Sequence, residues 1–231
     1  MLILGIIPAR GGSKGVPRKN IRLLGGRPLV EYTIDQCKQA RSLVQFVLST
    51  EDDEIATVAD RAACHVVRRP QELSQDDTPS LPVVLHAFRT AEANFGVSYD
   101  AICLLQPTTP FRKAEHIDAA VALLAESQAD SVVSVSRVPD KYHPNWTFLH
   151  DEHDNLVRFL DHKLESRRQS LQPAYHRNGL IYLTRRETLV KHGSLYGDRV
   201  TSLVLEGTEC VNIDTMDDWE SAERALHKSA A

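Results

Sequence analysis

Short apolar runs alternate with amphipathic stretches along most of the chain. Residues 2–7 are apolar, branched and uninterrupted, as in a parallel strand buried on both faces. Pro8 should close that strand, because it has no N–H to give to a ladder. Pro28 suits the first turn of a helix in which Leu29, Val30, Ile34 and Cys37 share one face. Residues 45–49 form a second apolar run, and Thr50 stands where a cap is expected for a helix carrying Ile55, Val58 and Ala59. Glu51, Asp52, Asp53 and Glu54 fall in its first turn, where the helix dipole favours acids, so this acidic run reads as capping. A short strand at 64–67, a helix at 83–95 capped from Ser80 or Thr78, a buried strand at 101–105, a helix at 115–125 and a strand at 131–136 continue the pattern. Later come an apolar run at 180–183, a short helix near 186–191 and strands at 201–206 and 209–213. A helix from Met216 closes the chain, with Trp219 and Ala222 inward. Alternation of this kind predicts a doubly wound, mostly parallel α/β sheet of the Rossmann-like kind.

Two stretches depart from it. Residues 68–79 form a polar loop longer than most connections, a length usually reserved for functional segments. Residues 137–174 carry Tyr142, Trp146 and Phe148 ahead of a turn at 151–155, then a polar, basic stretch with no helical period before Leu160. No core of its own is legible there. The segment reads as a hairpin arm inserted in an α/β domain made of residues 1–136 and 175–231. Trp and Phe on such an arm are costly to leave in water, so burial against a second copy is expected. In open parallel sheets, ligands sit beyond the carboxyl ends of the strands. The loops that follow residues 7, 67 and 105 should therefore share one edge, joined by Asp214 at the end of the last strand.

Composition narrows the classes. A formal net charge of −4 over 231 residues is not that of a nucleic-acid binder. No apolar run approaches the ~20 residues of a membrane span, and no export signal is read at the start. Cys37, Cys64, Cys103 and Cys210 lie far apart without metal-ligand spacing, which points to thiols in a reducing cytoplasm. The histidines form no ligand spacing either, and His86, on a helix, reads as structural.

The chemistry concentrates in Arg10-Gly11-Gly12-Ser13-Lys14-Gly15-Val16-Pro17-Arg18-Lys19-Asn20, directly after the first strand. Gly11, Gly12 and Gly15 let backbone N–H groups converge, and Arg10, Lys14, Arg18 and Lys19 bring charge to the same place. The expected ligand is a polyanion. The spacing is not G-x-G-x-x-G, and Pro17 resists the immediate helix entry of a dinucleotide site. Nor is it G-x-x-x-x-G-K-[ST], since Lys14 precedes Gly15 and no Ser or Thr follows. Cations that neutralise a leaving pyrophosphate, with a carboxylate at a distant strand end, fit nucleotidyl transfer. In that reaction a sugar hydroxyl attacks the α-phosphorus of a nucleoside triphosphate, and fixed cations with Mg2+ stabilise the growing charge. Mg2+ takes one or two carboxylates and completes its octahedron with water and phosphate oxygens. Asp214 is the candidate ligand. Its alternative role is to cap the closing helix, and the sequence leaves both open.

Ile7-Pro8-Ala9-Arg10-Gly11-Gly12-Ser13-Lys14-Gly15-Val16-Pro17-Arg18-Lys19-Asn20, Arg69-Pro70-Gln71-Glu72-Leu73, Leu104-Leu105-Gln106-Pro107-Thr108-Thr109-Pro110-Phe111-Arg112, Arg177-Asn178-Gly179-Leu180-Ile181-Tyr182 and Ile213-Asp214-Thr215 span nearly the whole chain. In this order they resemble the motifs of the acylneuraminate cytidylyltransferases, or CMP-sialic acid synthetases. The related Kdo cytidylyltransferases typically continue toward a Pro-Gly-Lys-Pro-Leu-like run, where this chain has Pro17-Arg18-Lys19-Asn20. The resemblance implies CTP and a nonulosonic acid as substrates and Mg2+ as cofactor. It also implies a nucleotidyltransferase fold and a homodimer whose hairpin arm reaches across to the partner. Arg10 and Lys14 would hold the triphosphate, Lys19 would sit near the α-phosphate, and Asp214 would bind the metal, these four forming the catalytic set. Ala9, Gly11, Gly12 and Ser13 would complete the nucleotide loop, with Asn20, Arg69 and Ser80 along the cytidine. Gln106 would face the sugar acid, and Arg168, Gln169, Tyr175, His176, Asn178 and Gly179 would meet its carboxylate or acyl group.

Two departures matter. Family members often carry Asp-Ile-Asp where this chain has Asn212-Ile213-Asp214. Asn212 can add an amide ligand but no charge, so one firmly bound metal is expected rather than two. A bacterial member carries Arg in place of His176, which leaves neuraminic, legionaminic, pseudaminic and non-aminated acceptors open. The alternative readings are transfer of GMP or UMP, a Kdo-type acceptor, or a nucleotide sensor without catalysis. Retention of Arg10, Lys14, Lys19, Gln106 and Asp214 speaks against the sensor.

Overall fold

A computed structural model describes residues 1–160, 167–207 and 210–229. The first strand is β1 (Ile3–Pro8). Its Ile3 and Ile7 join the core on one face of the sheet and Leu4 and Ile6 the core on the other, which is why the run is apolar without alternation. β2 (Leu23–Leu24) and β3 (Arg27–Pro28) pair around Gly25 and Gly26, both at positive φ as a two-residue hairpin turn requires. The alternation continues through α1 (Leu29–Gln39), β4 (Leu43–Thr50), α2 (Asp53–Arg61), β5 (His65–Arg68) and α3 (Ser80–Phe95). Next come β6 (Ala101–Leu104), α4 (Ala114–Glu126) and β7 (Ser131–Arg137). β8 (Phe148–His150) and β9 (Leu156–Arg158) form a separate hairpin. The chain ends with β10 (Tyr175–Arg185), α5 (Arg186–Val190), β11 (Val200–Val204) and α6 (Met216–Ser229).

The main sheet has seven strands in the order β11-β7-β10-β6-β1-β4-β5. Every neighbouring pair is parallel except those of β10, which is antiparallel to both β6 and β7. α1, α2 and α4 cover one face through Ile34, Ile55 and Ile117, and α3 and α5 cover the other through Phe88 and Leu189. The order reverses at β1, between β6 and β4, so the first loop leaves the sheet at its switch point. α6 packs Trp219 and Ala222 on Val16, Leu24, Leu29 and Ile213, a third cluster that closes the first loop.

Several expectations are corrected. Asp52, not Thr50, caps α2: its carboxylate accepts the Ile55 N–H at 2.9 Å, while the Thr50 hydroxyl accepts the Asp52 N–H at 3.1 Å. Neither Thr78 nor Ser80 caps α3, because Pro79 occupies that position and Ser80 is already the first helical residue. Residues 175–179 belong to β10, whose register shifts between Arg177 and Tyr182 around Gly179 at φ +82°. Residues 211–213 form no strand, and the Ile213 N–H donates instead to the Thr108 carbonyl at 2.8 Å. Glu209, which opens that expected strand, and residues 161–166 of the expected arm lie outside the described residues. Among the described residues, no helix is long and apolar enough to cross a membrane.

Candidate active site

The first loop is held from behind by acids. The Gly11 N–H donates to Glu51 Oε1 at 2.7 Å, and a Cβ on Gly11 would run into the Asp52 carboxylate. Arg18, in the left-handed region at φ +55°, pairs with Asp52 at 2.5 Å and with Glu54 at 3.1 Å. That hydrogen bond from Arg18 outweighs burial and holds the Asp52 carboxyl below the usual carboxylate range. The acidic run thus does more than cap a helix, and Arg18 serves the loop's outer side rather than its ligand side. Glu51 reaches a second partner through Oε2, the buried Arg69 guanidinium at 3.2 Å. Burial lowers the Arg69 pKa, and Glu51 offsets only part of that shift.

The other wall comes from the end of the chain. A Cβ on Gly15 would fall on the Asp214 carbonyl oxygen, so glycine is what permits this approach. The Lys19 ammonium donates to the Ile213 carbonyl at 2.7 Å and lies 3.4 Å from Asp214 Oδ1. Asp214 is not the helix cap. The Thr215 hydroxyl accepts the Asp218 N–H at 3.3 Å, and the Asp218 carboxylate accepts the N–H groups of Asp214 at 3.0 Å and Thr215 at 2.8 Å. This reciprocal pair satisfies the start of α6. Burial alone would raise the Asp218 carboxyl, but these donors bring it below the usual range. The Asp214 carboxylate is thereby released into the cleft, 64% exposed, accepting among the described residues only Asn212 Nδ2 at 2.6 Å besides Lys19. Asn212 Oδ1 is buried without a hydrogen-bond partner among the described residues.

A third wall is the loop after β6. The fully buried Arg112 donates through Nε to the Leu180 carbonyl at 2.7 Å, through Nη1 to Thr33 Oγ1 at 3.0 Å and through Nη2 to the Gln106 carbonyl at 2.6 Å. Burial pushes its pKa down to about 10. One side chain thus locks Gln106 to β10, where a Cβ on Gly179 would stand 3.4 Å from Gln106 Oε1 and 3.6 Å from Asn212 Oδ1.

These walls enclose a cleft of about 410 Å³ lined by Arg10, Ser13, Lys14, Lys19, Asn20, Arg69, Ser80, Gln106 and Asp214 of the expected set. Gln75, Asp76, Thr78 and Thr108 line it too. The sequence reading missed them, although the length of the 68–79 loop was a signal for the first three. Ala9, Gly11 and Gly12 do not line it, and the Gly11 N–H is taken by Glu51. Asn178 does not face a ligand: its Oδ1 accepts from Ser134 Oγ at 2.6 Å and its Nδ2 donates to Ser136 Oγ at 3.0 Å, inside the sheet. His176 and Arg168 line a separate cavity of about 540 Å³, where Arg168 pairs with Asp140. Tyr175 and Gln169 are exposed outside the first cleft. His86 is not a lining residue, and burial, with Arg69 nearby, pushes its pKa down. Among the described residues no three metal-binding side chains cluster, so Asp214 stands as a single carboxylate.

The arrangement, a mostly parallel α/β sheet with a cleft at its switch point, recurs in solved structures. The fold superposes with a TM-score of 0.72 on CMP:2-keto-3-deoxy-manno-octonic acid synthetase complexed with CTP, over 99% of this chain and 100% of that one at 13% identity. It superposes at 0.62 on 4-diphosphocytidyl-2C-methyl-D-erythritol synthase from Anaerococcus prevotii, over 98% and 96% at 14% identity. These likenesses define the fold. The cytidylyltransferase family model matches residues 4–225, and the chain belongs to that family. It is 35% identical to the CMP-N,N'-diacetyllegionaminic acid synthase of Legionella pneumophila over 98% of this chain and 97% of the relative. Identity is 29% to the pseudaminic acid cytidylyltransferase of Campylobacter jejuni, over 98% of both. It is 32% to an N-acylneuraminate cytidylyltransferase of Streptococcus agalactiae, of which the chain spans 51%.

Gly15→Ala tests the junction between the two ends of the chain. A displacement of about 1 Å at a reacting geometry costs on the order of a hundredfold in rate. Nucleotide-dependent pyrophosphate release should fall by that order while the circular dichroism spectrum is kept.

Proposed function

We propose that this protein transfers CMP from CTP to the anomeric hydroxyl of a nonulosonic acid and releases pyrophosphate. The observation that carries the reading is the freed Asp214 carboxylate beside Lys19, in one cleft with Arg10, Lys14 and Gln106. Arg10 and Lys14 receive the β- and γ-phosphates. Lys19, held by the Ile213 carbonyl, faces the α-phosphate. Gln106, its backbone fixed by Arg112, orients the acceptor so that the hydroxyl oxygen meets the α-phosphorus opposite the leaving oxygen. The new P–O bond forms as the α–β bridge breaks, the hydroxyl proton passes to solvent water, and the charge passes to pyrophosphate where cations already stand.

Mg2+ would neutralise phosphate charge and polarise the α-phosphoryl group when bound. Asp214 would hold it, and Asn212, whose Nδ2 faces Asp214 while its oxygen is buried, would add a neutral oxygen donor on turning its amide, giving a hard-oxygen set that suits this ion. Four free cysteines and the use of CTP accord with a cytoplasmic enzyme.

The β8–β9 hairpin leaves Phe148, Leu149, Leu156, Val157 and Phe159 exposed, and Arg168 lies outside its own chain's cleft. Both features support a homodimer in which each arm, spanning residues 137–174, serves the partner's sugar site. Phe148→Ser with Leu156→Ser should turn a dimer into a monomer in sedimentation velocity. A wild-type monomer would remove this part of the reading.

Pyrophosphate release with each of the four triphosphates and a panel of nonulosonic acids tests the reaction. Release is expected with CTP and a nonulosonic acid together; turnover with GTP or UTP overturns the nucleotide, and no release in any combination favours a sensor. For the metal, Asn212→Asp should tighten Mg2+ uptake by the CTP complex about tenfold, as one added carboxylate in a partly solvated site does. Asp214→Ala should abolish that uptake. Titration calorimetry reads both, and equal affinities in all three proteins would exclude this ligand pair.

A further inference from the structure

The loop between β5 and α3 places a carboxylate inside the phosphate cradle. Asp76 Oδ1 lies 2.9 Å from Arg10 Nη1, and Asp76 Oδ2 lies 2.5 Å from Lys14 Nζ. One carboxylate therefore spans the two cations, each oxygen on one of them, as two oxygens of a phosphate chain would. Arg10 Nη1 also donates to the Gln75 carbonyl at 3.0 Å. The other contacts of this stretch are internal to the loop: Gln75 Nε2 donates to the Gln71 carbonyl at 2.9 Å and the Thr78 N–H to the Gln75 carbonyl at 3.3 Å. The loop thus touches the cradle by one side chain and one carbonyl, and it can withdraw both without undoing its own turn. Asp76 is 46% exposed and Lys14 80%, so these pairs are solvated and individually weak.

We propose that Asp76 is a specificity-determining residue of this site, a carboxylate that holds the place of the departing pyrophosphate and yields it only to a phosphate chain long enough to engage both Arg10 and Lys14. The inference rests on the phosphate roles given above for those two cations. CTP and pyrophosphate displace Asp76 and regain two charge-assisted contacts. CMP, with its single phosphate near Lys19, leaves Asp76 seated. As pyrophosphate departs, the carboxylate recaptures both cations and competes with its return, which favours the forward direction.

Titration calorimetry of wild type, Asp76→Asn and Asp77→Asn with CTP, CMP and pyrophosphate, in Mg2+ at fixed ionic strength, tests this. Asp77 changes the loop's charge equally but makes no ion pair among the described residues. Asp76→Asn should bind CTP and pyrophosphate about three- to tenfold more tightly, the scale of two exposed ion pairs, with CMP unchanged within about twofold. Asp77→Asn should match wild type. Unchanged or weaker CTP and pyrophosphate binding in Asp76→Asn, an equal gain for CMP, or the same gain in Asp77→Asn each overturns the proposal. A wild type that takes pyrophosphate but not CTP removes the CTP reading alone, and the pyrophosphate comparison still decides the role of Asp76. A wild type that takes neither overturns both.

Discussion

The approach of Gly15 to the Asp214 backbone, clamped by the Lys19 ammonium on the Ile213 carbonyl, is the constraint on which the rest of the site depends. It brings the loop after the first strand against the segment before the last helix. Without it there is a basic turn on one side and an exposed aspartate on the other. α6 serves this junction as much as it serves the core, since Trp219 and Ile213 pack on Val16 from the same loop. The Thr215–Asp218 pair completes the arrangement by satisfying the helix start, which leaves Asp214 unspent.

The charges around the cleft are arranged so that each has an answer before any ligand arrives. Arg69 has Glu51, Arg18 has Asp52, Lys19 has Asp214, and Arg10 with Lys14 has Asp76. The first two pairs are scaffolding and stay in place: one carboxylate, Glu51, holds both the Gly11 N–H and a buried guanidinium. The latter two face the cleft. Arg112 differs again, being buried and neutralised by carbonyls and hydroxyls, which spreads its charge over the backbone that carries Gln106 and Leu180. Such preorganisation lets phosphate charge be met by groups that need not reorient.

Much of this was legible because strand, loop and helix alternate with strong apolar contrast. Residues 2–7, the glycine loop and the strand before Gln106 could be read from local pattern and motif order. What could not be read depends on partners far away in sequence. The direction of β10 is invisible, because an apolar run such as 180–183 looks alike parallel or antiparallel. Thr50 was a sound cap by residue type, yet Asp52 takes the position and Arg18 secures it. The cap reading of Asp214 is excluded by Asp218, whose reciprocal bond with Thr215 is a signal short in range. Asn178 sits within a motif that implies a sugar contact, but its amide is consumed by two serines of β7, a contact set by strand register alone.

The Lys19–Asp214 pair joins residues 195 apart in the chain. A ribosome delivers the phosphate loop well before its counterpart, so during synthesis the cations exist for a time without the wall that completes their cleft. Strands β1, β4 and β5 can pair early, but the cleft is finished only when α6 docks, a step of high sequence separation and hence of late assembly. A chain cut short before Asp214 would thus keep the phosphate loop and lose the wall that faces it.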